Sequence, residues 1–138
     1  MHEGRERADR MDAGEVYATQ GVTIDPRETA GELHDRLASL GPEIVADVLR
    51  KRASNAAIGQ PQDDRLATPA PKLSKADGSV RFDQPATAVR NRIHGLTPWP
   101  GCTVRLDGRD LKLLRADAVE DRTRHGAAGE ILQDHSIA

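Results

Sequence analysis

The sequence predicts a mixed α+β chain made of two incomplete parts. One is a strand followed by a helix pair. The other is a helix with three short antiparallel strands that stop partway round a small β-barrel. Three observations carry this reading. Apolar residues alternate at period two near the amino end and again past residue 100, with helical spacing between. A proline-rich stretch separates the two patterned regions: four of the eight prolines fall between Pro61 and Pro85. Leu, Val, Ile and Phe together number 27 in 138 residues, just under the roughly one-fifth level at which a chain runs short of core. Tyr17, Phe82 and Trp99 are the only aromatics, fewer than a complete domain of this size usually packs.

Residues 1–10 are charged and nearly free of apolar groups, so they are expected to be disordered. Residues 11–58 read as strand then helices. Val16, Ala18, Val22 and Ile24 alternate along a β-prone run, with Gly21 as a bulge between two halves. Asp25-Pro26 ends it. Thr29 and Glu32 then match a capping box, each side chain satisfying an orphan N–H of the first helical turn. Leu33, Leu37 and Leu40 form an apolar face. Gly41-Pro42 is expected to stop this helix and start a second, whose buried stripe is Ile44, Val45, Val48 and Leu49. Arg50, Lys51 and Arg52 sit in its last turn, where cations meet the negative end of the macrodipole.

Residues 59–85 read as a stiff, extended linker. Residues 86–138 begin a second unit. Pro85 opens a helix that buries Val89, Ile93 and Leu96, and the Thr97–Gly101 turn ends it. Cys102–Leu106 and Leu111–Ala116 are expected strands, joined at Asp107-Gly108, a hairpin signal. Residues 122–128 are a polar loop and 129–133 a third strand. Such a sheet keeps a free edge.

Charge is uneven along the chain. The net formal charge is −4 over residues 1–71, +5 over 72–115 and −3 over 116–138. A basic middle block suits phosphate, although a solvated arginine-rich surface explains composition alone equally well. No stretch approaches the ~18 apolar residues of a membrane span, and the first residues lack the apolar core of a secretory signal. The single cysteine, Cys102, excludes an internal disulfide and reads as a small strand residue. His34, His94, His125 and His135 show no metal-ligand spacing and read as surface or helix residues. The expected location is the cytoplasm, with no membrane partner and no metal.

An ordered series of motifs is more specific. PQDDRLATPAPKLSKADG at 61–78 is followed by HGLTPWPGC at 94–102, and preceded by MDAGEV at 11–16 and TAGELHDRLASLGPE at 29–43. This series resembles the end of the formyl-folate domain, the junction and the early carboxy-terminal domain of methionyl-tRNA formyltransferases. The resemblance implies the tail of an α/β formyltransferase domain (11–58, strand plus helix pair), a linker (59–85), and an incomplete OB-like β-barrel domain that binds tRNA (86–138). It implies a reaction in which a formyl group passes from 10-formyltetrahydrofolate to the amino group of methionyl-initiator-tRNA, and a monomeric enzyme.

The same resemblance assigns roles. Asp12, in an Asp-x-Gly unit, stands where the family has its catalytic carboxylate, which orients a histidine and manages protons. Family members often carry two such units in tandem; this chain has one. Glu15-Val16-Tyr17 follows it at once, which aligns it with the second, catalytic unit, and loss of the catalytic copy is the alternative. The partner Asn and His, and the main folate-binding loop, are absent from the chain. Lys72 and Lys75 lie on the junction that the family places along the tRNA acceptor arm, and Arg90 and Arg92 lie on the polar side of the following helix. These four are the candidate tRNA-binding residues; solvated linker and helix charge is the plainer reading of each. Trp99, flanked by prolines, is expected to be a packing anchor with hidden faces. The chain is therefore expected to be a truncated piece of the enzyme without activity of its own. A non-catalytic tRNA-binding module and an inert gene remnant are the alternatives.

Overall fold

The computed structural model describes residues 12–119, 126–132 and 136–138. The expected disorder of residues 1–10 lies outside them, as does much of the 122–128 loop. Two compact units emerge. Residues up to Thr23 and Leu37–Pro71 make the first; Ile24–Arg36 and Lys72–Ala138 make the second.

The first unit contains no strand among its described residues. The β-prone run from Val16 to Ile24 reduces to one antiparallel bridge, in which Val16 and Gln60 exchange both N–H···O bonds at 2.9 Å. Alternation makes a strand only where a neighbour accepts its backbone groups in a continuous ladder, and among the described residues the bridge at Val16 is not extended into one. Glu15 packs against Gly59 at the same crossing, and the Arg52 guanidinium lies 5.1 Å over the Tyr17 ring.

The expected helix pair is a single helix, α1 (Ala30–Ala53), with Pro42 in its interior. Pro42 forfeits one backbone bond at a cost of about 3 kcal/mol. Ending the helix there instead would orphan a turn of carbonyls and require a second nucleation. Strong helix formers on both sides carry the helix through. The second half of its apolar stripe is not buried as expected: Val45 and Leu49 are 57% and 60% exposed, because the described residues supply no sheet for it to cover. The cationic last turn forms as expected, with Lys51 and Arg50 reaching Asp47 at 2.6 and 3.7 Å.

The second unit holds the core. Thr29 caps α1 as its spacing predicts: its N–H donates to Glu32 Oε2 at 2.8 Å, and the Glu32 N–H donates back to Thr29 Oγ1 at 3.3 Å. Helix α2 (Ala86–Gly95) follows Pro85. Strands β1 (Cys102–Leu106) and β2 (Arg109–Leu113) pair antiparallel, with Cys102 opposite Leu113 and Val104 opposite Leu111. Asp107 (φ 50°) and Gly108 (φ 76°) make the two-residue turn between them, the left-handed pair that matches strand twist. Ile93, Leu96 and Cys102 are buried, with Val80, Val89, Leu113 and Ala116 packed around them.

One expectation fails here. Among the described residues there is no third strand: Ile131 and Ile137 form only an isolated bridge, Gly129 packs on Phe82, and the sheet has two strands. His94, expected at the surface or in a helix, lies in α2 and is 3% exposed. Its Nε2 accepts the Ala116 N–H at 3.1 Å, tying α2 to the segment beyond β2.

Two turns lock together beside this core. The 3₁₀ turn Lys75–Gly78 places Gly78 against the Gly101 carbonyl, where a Cβ has no room. Gly101 itself has φ +79° and carries the Lys112 side chain across it. Gly78→Ala and Gly101→Ala are each expected to destabilise the chain by about 1–2 kcal/mol or more, from displaced backbone or left-handed strain. Gly41→Ala, inside α1 with open space around it, should stabilise by about 0.5–1 kcal/mol. Thermal melts of the three variants test the contrast.

Candidate functional site

Arg92 and Lys112 both reach the place where these two turns meet. Ser74 opens the 3₁₀ turn, donating its N–H and hydroxyl to Asp77 Oδ2 at 2.7 and 2.8 Å. Those donors, the backbone one first, hold the Asp77 carboxyl below the usual range. From the far side, Arg92 on α2 donates Nε to the Ser79 carbonyl at 2.8 Å and Nη2 to the Asp77 carbonyl at 2.5 Å. The structure thus joins Arg92 to the turn that carries Lys75. Arg92 braces that turn through two of its carbonyls, and Lys75 on it and Lys72 just before it are exposed. Arg90 stands elsewhere on α2, half-buried, with its guanidinium on Asn91 Oδ1 at 2.9 Å.

Pairing separates structural cations from available ones. Arg27, Arg36, Arg65, Arg81, Arg105 and Arg115 each reach a carboxylate. Among the described residues Lys72, Lys75 and Lys112 have no carboxylate within ion-pair distance. Three of the four lysines of the chain are therefore without a carboxylate partner among the described residues: Lys75 on the locked turn, Lys72 just before it and Lys112 on β2. Sequence reading missed Lys112. Its signal was the strand pairing of Thr103 with Lys112, which follows from the Asp107-Gly108 turn and turns Lys112 to the face opposite Leu111 and Leu113.

Asp12 belongs to the first unit. It adopts φ 59°, and its carboxylate is exposed without a hydrogen-bond partner among the described residues. Gln62, another residue that sequence reading missed, fixes this turn: its Nε2 donates to the Asp12 and Gly14 carbonyls at 2.9 and 2.8 Å. No Asn or His side chain meets Asp12 among the described residues. Nor do three His, Cys, Asp or Glu side chains converge there on a metal-binding arrangement. Cys102 is fully buried, and burial pushes its thiol pKa up, which suits a packing residue.

Residues 72–137 match the family described as formyl transferase, C-terminal domain. Methionyl-tRNA formyltransferases align over most of the chain. That of Geobacter sulfurreducens is 40% identical over 123 residues, covering 89% of this chain and 38% of the relative. This chain belongs to the methionyl-tRNA formyltransferase family. The relatives from Caldanaerobacter subterraneus and Moorella thermoacetica are 38% and 36% identical, covering 80% and 91% of this chain and 36% and 40% of their own lengths. The chain spans about two fifths of the length of the curated relatives it matches. The matched domain begins at Lys72, so the lysine-bearing turn, α2 and the hairpin all fall inside it.

Electrostatics also ties the start of α1 to this matched domain. Glu32 accepts from the Thr29 N–H, from Arg115 at 2.6 Å and from the Thr29 hydroxyl, which lower its carboxyl from 4.5 to about 2. A depressed carboxylate contributes stability that is complete above its unfolded value and lost as pH falls through its folded one. The stability gap between the wild-type chain and Glu32→Gln should therefore be constant above pH 4.5 and close progressively toward about pH 2. Denaturant melts across that range measure it.

Proposed function

We propose that this chain supplies the RNA-contacting part of a methionyl-tRNA formyltransferase, with the initiator-tRNA acceptor arm following Lys72 and Lys75 and passing Arg90 and Arg92. The observation that carries this reading is the pair Lys72 and Lys75, without carboxylate partners among the described residues, just before and on a turn that Arg92 braces inside the matched domain. Phosphate oxygens take the place that carboxylates fill elsewhere on the surface, and binding releases counterions. Residues 11–58 belong to the end of the formyl-folate domain, 59–85 to the junction, and 86–138 to an OB-like carboxy-terminal domain. The working place is the cytoplasm and the working form a monomer.

The whole reaction transfers a formyl group from 10-formyltetrahydrofolate to the amino group of methionyl-initiator-tRNA. The amine attacks the formyl carbon, and the developing oxyanion needs preorganised donors. Of the family's catalytic groups this chain carries Asp12 alone. Its residues offer neither the Asn and His partners nor a folate loop, so the chain by itself binds RNA without turning over. Filter binding of initiator tRNA to the full chain should weaken steeply with salt. Lys72→Ala with Lys75→Ala should reduce the slope of log affinity against log salt by roughly two. Formylation assayed with the same preparation should show no turnover. Salt-independent binding, or binding indifferent to both substitutions, overturns the RNA reading.

A further inference from the structure

Trp99 was expected to be hidden between its prolines, and it is not. The turn that carries it is fastened on every side. The Gly101 N–H donates to the Leu96 carbonyl at 2.8 Å, and the Thr97 hydroxyl reaches the Ile93 and Leu114 carbonyls at 2.8 and 3.2 Å. The Thr97 carbonyl accepts the Gly31 N–H at 3.0 Å, and Pro98 lies against Gly31. Leu96, Gly101 and Cys102 on either side are buried. At the tip of this fixed turn Trp99 remains 54% exposed. It is the only tryptophan and one of three aromatic residues in a chain short of large side chains. A core with so few members leaves its largest available side chain outside.

A cation lies across the turn that carries this side chain. Gly101, two residues on, is the point where the Lys75–Gly78 turn docks. The Lys112 amine lies 3.1 Å from where a Gly101 Cβ would stand. Lys112 thus lies across the turn that presents the indole, and the turn that carries Lys75 ends against it at Gly78; Lys75 and Lys112, like Lys72 upstream, have no carboxylate partner among the described residues. A protein partner for an exposed tryptophan is favoured by an apolar surround; here the side chain laid across the turn is a lysine. An aromatic platform set among cations is the arrangement that holds single-stranded nucleic acid, with a base on the ring and phosphates on the cations.

We infer that Trp99 is a stacking platform for an unpaired base of the RNA whose phosphates lie on Lys72, Lys75 and Lys112. This deepens the proposed function and rests on it. The stack supplies affinity without reading sequence, since every base has a face to offer. Trp99 positions RNA and touches no reacting atom.

The single tryptophan makes the test direct. The full chain is titrated, with intrinsic fluorescence as readout, against a short oligoadenylate and an abasic sugar-phosphate oligomer of equal charge. Oligoadenylate should quench the emission and bind roughly 5- to 150-fold tighter than the abasic oligomer, the range one base stack supplies. By anisotropy of labelled oligomers, Trp99→Leu should abolish that difference and leave the salt dependence unchanged. Trp99→Phe should keep part of it. If lysine-dependent binding persists while emission is unmoved, or both oligomers quench equally, stacking is wrong and the RNA surface stands. If neither oligomer binds, both readings fall. The wild-type emission needs no variant, so misfolding of Trp99→Leu does not cloud the result.

Discussion

Gly78 lies against the Gly101 carbonyl with no space for a side chain between them, and the carboxy-terminal unit is arranged around this approach of two backbones. One partner ends the turn that carries Lys75; the other ends the turn that leaves α2 and begins β1. Because they touch, a stretch that reads as extended linker becomes part of the domain's surface. Arg92 secures the same junction through the Asp77 and Ser79 carbonyls. Remove the contact, and the lysines stand on a proline-rich tether of no fixed direction.

Polar fastenings carry unusual weight in this unit because the core is small. Among the described residues only Ile93, Leu96 and Cys102 are buried apolar ones, so few side chains enforce the fold by exclusion of water. Arg115 joins the segment after β2 to α1 by reaching both the Arg27 carbonyl and Glu32 at 2.6 Å. His94 ties the same segment to α2. Surface ion pairs contribute little singly. Here several share members with a helix cap and a buried imidazole, so their geometry is set by neighbours and not by each pair alone.

Local rules were legible in the sequence and tertiary ones were not. The Thr29–Glu32 cap, the extent of α2 and the Asp107-Gly108 turn depend on residues within a few positions of one another, and each forms where its spacing predicts. The strand from Val16 to Ile24 and the third strand near Ile131 needed partners that alternation cannot supply. Pro42 failed to split α1 because the cost of a second nucleus, invisible to a breaker rule, exceeds one lost bond. His94 lies in a helix, one of the two places expected for it, but its burial was not foreseen, because its partner, Ala116, is 22 positions away. At the candidate site Lys72 and Lys75 were visible as motif residues. Lys112 entered only through strand register, Arg92 changed from a surface charge to a brace, and Trp99 proved open because its turn, not its ring, is what the fold grips.

The family match and the geometry now meet on one claim: the Gly78–Gly101 contact fixes the lysine turn beside Trp99. Cys102 is fully buried, so a cysteine placed at Lys75 can be labelled selectively with an energy acceptor, and Trp99, the sole tryptophan, is the donor. Energy transfer in the native full chain should be efficient, and adding Arg92→Ala or Gly78→Ala should reduce it toward the value in denaturant. Transfer in the native chain no greater than in the unfolded one would contradict the account.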